Sequence, residues 1–140
     1  PAYNTNHMAY TTKKYQIAYF GRNQWAETPS QMLLPLIVQT LQNTQYYRAV
    51  AASPYMGKAD YLLTTQIIKL QQNFTHRPPS VEFYLRAQLT RLTTNQVVAT
   101  KQFTIVTPIR ENTPYGGVLA ANEATGKLLA SLTNFCVENT

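Results

Sequence analysis

Two periodicities divide the chain. In "SVEFYLRAQLTRL" (80–92), Val81, Phe83, Leu85, Ala87 and Leu89 alternate with Glu82, Tyr84, Arg86, Gln88 and Thr90. Side chains two apart share one face of a strand, so the spacing predicts a strand with one apolar and one polar side. Beyond the turn "TTNQ" (93–96), "VVATKQFTIV" (97–106) predicts its hairpin partner. "MAYTT" (8–12), "KYQIAYF" (14–20, with Tyr15, Ile17 and Tyr19 on one face) and "YYRAVAA" (46–52) predict further strands. "ADYLLTTQIIKLQQNF" (59–74) carries two phases, Leu62, Ile68, Leu70 and Phe74 in one and Tyr61, Leu63 and Ile67 in the other. Such a strand is either buried on both faces or bulged so that its phase shifts.

The helical period appears twice. Thr28 is a good N-cap, and Pro29 suits the first helical position, where a missing N–H costs nothing. Met32, Leu33, Leu36, Ile37, Thr40 and Leu41 then trace one apolar stripe, widened by Leu34 and Val38, with a kink expected at Pro35. "QNTQ" (42–45) ends it. "TPIRENTPYGG" (107–117) reads as loop, and from Val118 to about Val137 the residues Ala121, Ala124, Leu128, Leu132, Phe135 and Cys136 trace a second helix face. The predicted order is β-β-α-β-β-β-β-α. It implies an α+β domain, a mostly antiparallel sheet of about five to six strands with both helices packed on one face. Thr28, Pro29, Leu33, Leu36, Ile37, Phe83, Leu85, Leu128, Leu132 and Phe135 are its expected structural residues.

The lone tryptophan, Trp25, sits in "NQWAETP" just ahead of the first helix. The segment reads better as the joint that seats helix on sheet than as an active-site loop, with Trp25 covering the seam.

Composition narrows the class. The chain has 140 residues, 44% hydrophobic and 13% charged, with 10 tyrosines and a net charge of +6. That suits one ordered, β-rich domain spanning 1–140 rather than a disordered tail. Apart from Lys13-Lys14 the cations stand singly, which argues against a dedicated nucleic-acid surface. The single Cys136 excludes an intrachain disulfide and a Cys-rich zinc site, and reads as a buried small hydrophobe. No window approaches the ~18 apolar residues of a membrane-spanning helix. The chain starts at Pro1 without Met, so upstream sequence is expected to have been removed.

Candidate chemistry is sparse. There are six acidic residues, with Asp60 the one aspartate; Glu27 and Glu123 lie beside helix starts and Glu82 on a strand's polar face. His7 and His76 are too few for a zinc site or a triad. "GVLAANEATGK" (117–127) fails the phosphate-loop pattern because Ala121 and Leu128 stand where Gly and Ser or Thr are needed. "NFT" (73–75) matches the minimal glycosylation pattern, a frequent chance match. No catalytic residue, metal or cofactor is expected. Tyr84 beside Arg86, and Tyr46-Tyr47-Arg48, leave open an alternative reading, a nucleic-acid-binding module using a basic, aromatic sheet face.

Several segments in order resemble a known family: "PAYNTNHMAY", "NQWAETPSQML", "YYRAV", "ADYLL", the pair "RAQL" and "VVATKQF", and "TPYGGVLAANEA". Together they resemble the auxiliary lipoprotein component of MCE-type ABC transport systems, the paraquat-inducible-type lipoproteins of Gram-negative bacteria. The resemblance implies a signal peptide ending in a lipidated cysteine and a strand before "PAYNT", both upstream of this chain. Cys136 lies near the wrong end to carry the lipid. Where the family often has Arg before Trp25, this chain has Gln24.

The resemblance further implies a non-enzymatic periplasmic protein, soluble as this chain and held to a membrane, the outer one, by its upstream lipid. Its partners would be MCE-type or ABC transporter subunits or other envelope proteins, with phospholipid reached through the anchor and nucleic acid disfavoured. A missing first strand would leave a sheet edge that favours homo-oligomers. The expected contact residues are Trp25, Tyr84, Arg86, Gln88, Tyr115, Gly116 and Gly117.

Overall fold

The computed structural model describes residues 7–12, 29–52 and 58–140. Its elements are β1 (His7–Thr12), α1 (Pro29–Asn43), β2 (Ala49–Ala52), β3 (Tyr61–Asn73), β4 (Ser80–Arg91), β5 (Gln96–Pro108) and α2 (Pro114–Asn139). The five strands form one sheet in the order β2-β1-β3-β4-β5. β4 pairs antiparallel with β3 and β5 along its whole length, whereas β1 is parallel to both β2 and β3. The architecture is α+β, with "KYQIAYF", Trp25 and Thr28 lying outside the described residues.

β4 follows its alternation: Val81, Phe83, Leu85, Ala87 and Leu89 are all buried. The two phases of β3 come from a bulge. The register with β4 slips between Ile67 and Lys69, so Ile68 is the extra residue. Before it Tyr61, Leu63, Thr65 and Ile67 are buried; after it the buried position moves to Leu70, while Ile68 is 45% exposed. One inserted residue keeps the apolar side chains of a long strand on one side of a twisting sheet.

Both helices cover that side, α1 against β1 and β2 and α2 against β4 and β5. α1 starts at Pro29, as its N-terminal signal predicts. Its buried stripe is Leu33, Ile37 and Leu41, narrower than the pattern predicts. Leu36 is corrected from core to flank: it is 41% exposed and lines the small groove between the helices with Met32, Asn122 and Thr125. A stripe spaced by four drifts slowly around a helix, and α2 covers only one flank of it.

α2 also corrects the sequence reading, because it starts at Pro114 rather than near Val118. Thr113, in extended conformation, caps it by accepting a hydrogen bond from the Gly116 N–H at 3.0 Å, with Pro114 at the first helical position. Ala120, Ala121, Ala124, Leu128, Leu132, Phe135 and Cys136 face the sheet. Small residues in the first turns let the helix lie close on the sheet. Further along, Phe135 meets Phe103 of β5 edge-on at 5.8 Å. Burial raises the Cys136 thiol to about 12, so it behaves as the small hydrophobe expected.

Candidate interaction surface

The face of the sheet opposite the helices is built by the polar phase of three strands. Cross-strand register sets Gln66 beside Arg86 and Arg86 beside Gln102, with Thr64, Gln88 and Thr100 forming the next row. Tyr84 stands between Lys69 and Thr104, and Glu82 between Gln71 and Val106. Sequence reasoning picked Tyr84, Arg86 and Gln88, and the structure does bring them to this face, Arg86 exposed and the other two half-buried.

The charges here are distributed unevenly. Lys69 Nζ lies 3.0 Å from Glu82 Oε1 and 5.2 Å from the centre of the Tyr84 ring, and the Tyr84 hydroxyl donates to Glu82 Oε2 at 3.3 Å. The Lys69 ammonium, bonded to the Glu82 carboxylate, holds it below the usual range against the opposing effect of burial; Asn73 and Tyr84 add to this. Arg86 has no such carboxylate among the described residues. It borders a shallow depression of about 230 Å³ lined by Thr64, Thr65, Gln66, Arg86 and Gln88. One available guanidinium among neutral hydrogen-bonding groups is suited to receive a carboxylate or phosphate from a partner. On β3, β4 and β5 the cations of this face are Lys69, already paired, and Arg86, too few for an electrostatic track along a nucleic-acid strand.

Tyr115, Gly116 and Gly117 fall elsewhere, at the start of α2. Tyr115 is 63% exposed, but both glycines are buried. A Cβ on Gly116 would collide with the backbone carbonyl of Glu111, and one on Gly117 with the side-chain amide of Gln72. These glycines give clearance for α2 to descend onto β3, a packing role rather than a contact surface. Trp25 lies outside the described residues.

Reasoning from the sequence missed Phe74, Val118 and Leu119, respectively 61%, 45% and 45% exposed at the Tyr115 end of the molecule. Their apolar character alone assigns them to the core; Phe74 is exposed just past the end of β3, and Val118 and Leu119 are exposed on the first turns of α2. Among the described residues no three His, Cys, Asp or Glu side chains gather as a metal site would require, and no helix is long and apolar enough to cross a membrane.

Comparison with known proteins decides the family. The model of the ABC-type transport auxiliary lipoprotein component matches residues 1–133. The chain belongs to this family. No curated protein matches it. Among solved structures, it is similar to a DUF330-family protein from Xanthomonas campestris, with a TM-score of 0.84 at 17% identity over 99% of this chain and 87% of that one. The PelC dodecamer from Paraburkholderia phytofirmans aligns with a TM-score of 0.59 at 18% identity, over 92% of this chain and 90% of that one. The lipoprotein GNA1162 from Neisseria meningitidis does so at 0.53 and 8% identity, over 96% of this chain and 99% of that one. At these identities the likeness establishes the fold alone. Membership nonetheless makes this auxiliary lipoprotein an accessory part of a transport system, and its lipoprotein character associates it with the cell envelope.

Proposed function

We propose that this auxiliary lipoprotein is the non-enzymatic, periplasmic accessory component of an MCE-type ABC transport system that moves lipid between the inner and outer membranes. It acts by binding a transporter subunit, and an upstream lipid attaches it to the outer membrane. The family match over residues 1–133 carries this reading. The polar sheet face supports it, since Arg86 lies on a broad hydrogen-bonding surface with no carboxylate partner among the described residues. Tyr84, Arg86 and Gln88 are the contacts proposed there, with Trp25 a further candidate. Self-association is part of the proposal, as a relative of the same fold, PelC, is a dodecamer.

The test is co-purification of the full-length lipoprotein with the MCE, permease and ATPase subunits encoded beside it, using wild type and Arg86→Glu. The expected result is recovery of an MCE subunit with wild type and its loss with the charge-reversed variant at unchanged folding. Recovery of no transporter subunit by wild type would overturn the reading.

A further inference from the structure

The two most exposed large hydrophobic side chains among the described residues are both aromatic, Tyr115 at 63% and Phe74 at 61%. They share one end of the molecule. Phe74 directly follows β3 and opens the β3–β4 loop; Tyr115 is in the first turn of α2, just beyond the β5–α2 loop. The two loops are stitched by the Ile109 N–H donating to the Pro79 carbonyl at 2.8 Å. Gly117 meets the side chain of Gln72, which fixes the start of α2 over the end of β3. Val118 and Leu119, both 45% exposed, follow Tyr115 by three and four positions and therefore adjoin it on the helix surface.

The charged groups around this apolar tip are of both signs, with Arg77 the cation that no carboxylate pairs among the described residues. Arg77 and His76 are exposed in the β3–β4 loop, Arg110 is exposed in the β5–α2 loop, and Glu111 is the exposed carboxylate of the latter. Arg110 is paired with Glu123 at 3.1 Å, whereas Arg77 has no carboxylate partner among the described residues. Exposed aromatic rings with aliphatic neighbours and a guanidinium at the rim fit the boundary between headgroups and acyl chains. Rings sit at headgroup level there, and arginine meets phosphate.

The tip lies far from where the chain enters the sheet. Met8 pairs with Tyr61 at the opposite end of β3, whose 13 residues extend ~40 Å at ~3.3 Å per residue. This contact is therefore at the opposite end of β3 from the His7 end of β1.

We propose that the folded domain itself carries a membrane-contact tip, in which Phe74, Tyr115, Val118 and Leu119 insert at the interface of an anionic phospholipid bilayer and Arg77 meets a headgroup phosphate. The proposal is independent of the transporter partner, so the two can fail separately.

The experiment uses residues 1–140 without lipid and vesicles of phosphatidylethanolamine and phosphatidylglycerol in equal parts, compared with phosphatidylcholine alone. Flotation measures binding. Wild type is expected to bind the anionic vesicles, and Phe74→Ser with Tyr115→Ser to lose about tenfold or more in affinity. Arg77→Gln is expected to weaken binding to the anionic vesicles about fivefold. Because Cys136 is buried, Phe74→Cys and Thr94→Cys can each be labelled with an environment-sensitive fluorophore. Thr94 lies in the β4–β5 turn at the far end, so only the Phe74 label should shift to the blue when vesicles are added. Three results would each overturn the proposal: wild type that does not float, a double variant that floats equally well, or equal shifts from both labels. Thermal melts identical to wild type confirm that the variants are folded.

Discussion

The Tyr47 hydroxyl lies 2.8 Å from Thr140 Oγ1, joining the approach to β2 to the last residue of the chain across 93 positions. Thr140 Oγ1 donates to the Cys136 carbonyl at 2.7 Å, so its lone pair accepts from Tyr47. Tyr46 packs edge-on against Tyr47 at 5.1 Å. The link fastens the C-terminal end of α2 beside the short strand β2. Tyr47→Phe keeps the ring and removes the bond; the expected loss is about 1 kcal/mol in denaturant unfolding. Removing Thr140 should cost a similar amount.

The same region should make the protein sensitive to alkali. Burial raises both the Tyr47 hydroxyl above its ordinary 10.0 and the Cys136 thiol from 9.0 to about 12. The unfolded chain releases these protons first, so the folded state binds more of them and stability falls as pH rises. The loss begins near pH 9 for Cys136 and near pH 10 for Tyr47, with a slope of up to about 1.4 kcal/mol per pH unit for each group. Unfolding free energies from pH 8 upward should show this decline, less steep in Cys136→Ala from pH 9 and in Tyr47→Phe from pH 10.

The adjacent glycines should differ when substituted. At Gly116 a methyl group meets backbone, the Glu111 carbonyl, which cannot retreat without disturbing the cap at Thr113. At Gly117 it meets the end of the Gln72 side chain, which can rotate away. Gly116→Ala is expected to cost about 2 kcal/mol or more and Gly117→Ala less than about 1 kcal/mol, compared by thermal melts.

Lys69 and Glu82 should behave as a partly buried pair. Their side chains are 34% and 11% exposed, so Lys69→Met strands a carboxylate with little access to water. The expected loss is about 2 kcal/mol at pH 7. Because the folded-state Glu82 carboxyl titrates below its ordinary 4.5, its contribution is present above that pH and is lost as pH falls through the folded-state value. The difference between Lys69→Met and wild type should therefore shrink in acid.

Gln45 offers a stabilising change. It closes α1 with φ of 56°, a left-handed conformation that costs a side chain and suits glycine. Gln45→Gly is expected to gain about 0.5–1 kcal/mol, read as a higher unfolding midpoint.

What could be read from the residues depended on whether the pattern was local. β4 was fully legible, since five apolar positions alternate without a break and all five are buried. In β3 both phases were visible and the bulge was one of two explanations; register with β4 selects it. The start of α2 was misplaced because Gly116-Gly117 has poor helix propensity, while Thr113-Pro114 carried the true signal four residues earlier. Leu36 was assigned to the core by a periodicity that cannot tell a covered flank from an open one. The parallel placement of β1 between β2 and β3 had no local signature, for strand pairing depends on neighbours distant in sequence. The same division holds for the candidate surface. Tyr84, Arg86 and Gln88 came directly from alternation, but the pairing that neutralises Lys69 and leaves Arg86 without a carboxylate partner among the described residues needed cross-strand register.

The position of β1 has a mechanical consequence. It is hydrogen-bonded on both sides by parallel neighbours, and the chain enters it from its His7 end. A pull from that end draws β1 lengthwise between β2 and β3, in shear. Its hydrogen bonds then share the load and must break together instead of unzipping one after another. An auxiliary lipoprotein tethered upstream of β1 would thus take tension through the interior of its sheet, where the domain is best able to bear it.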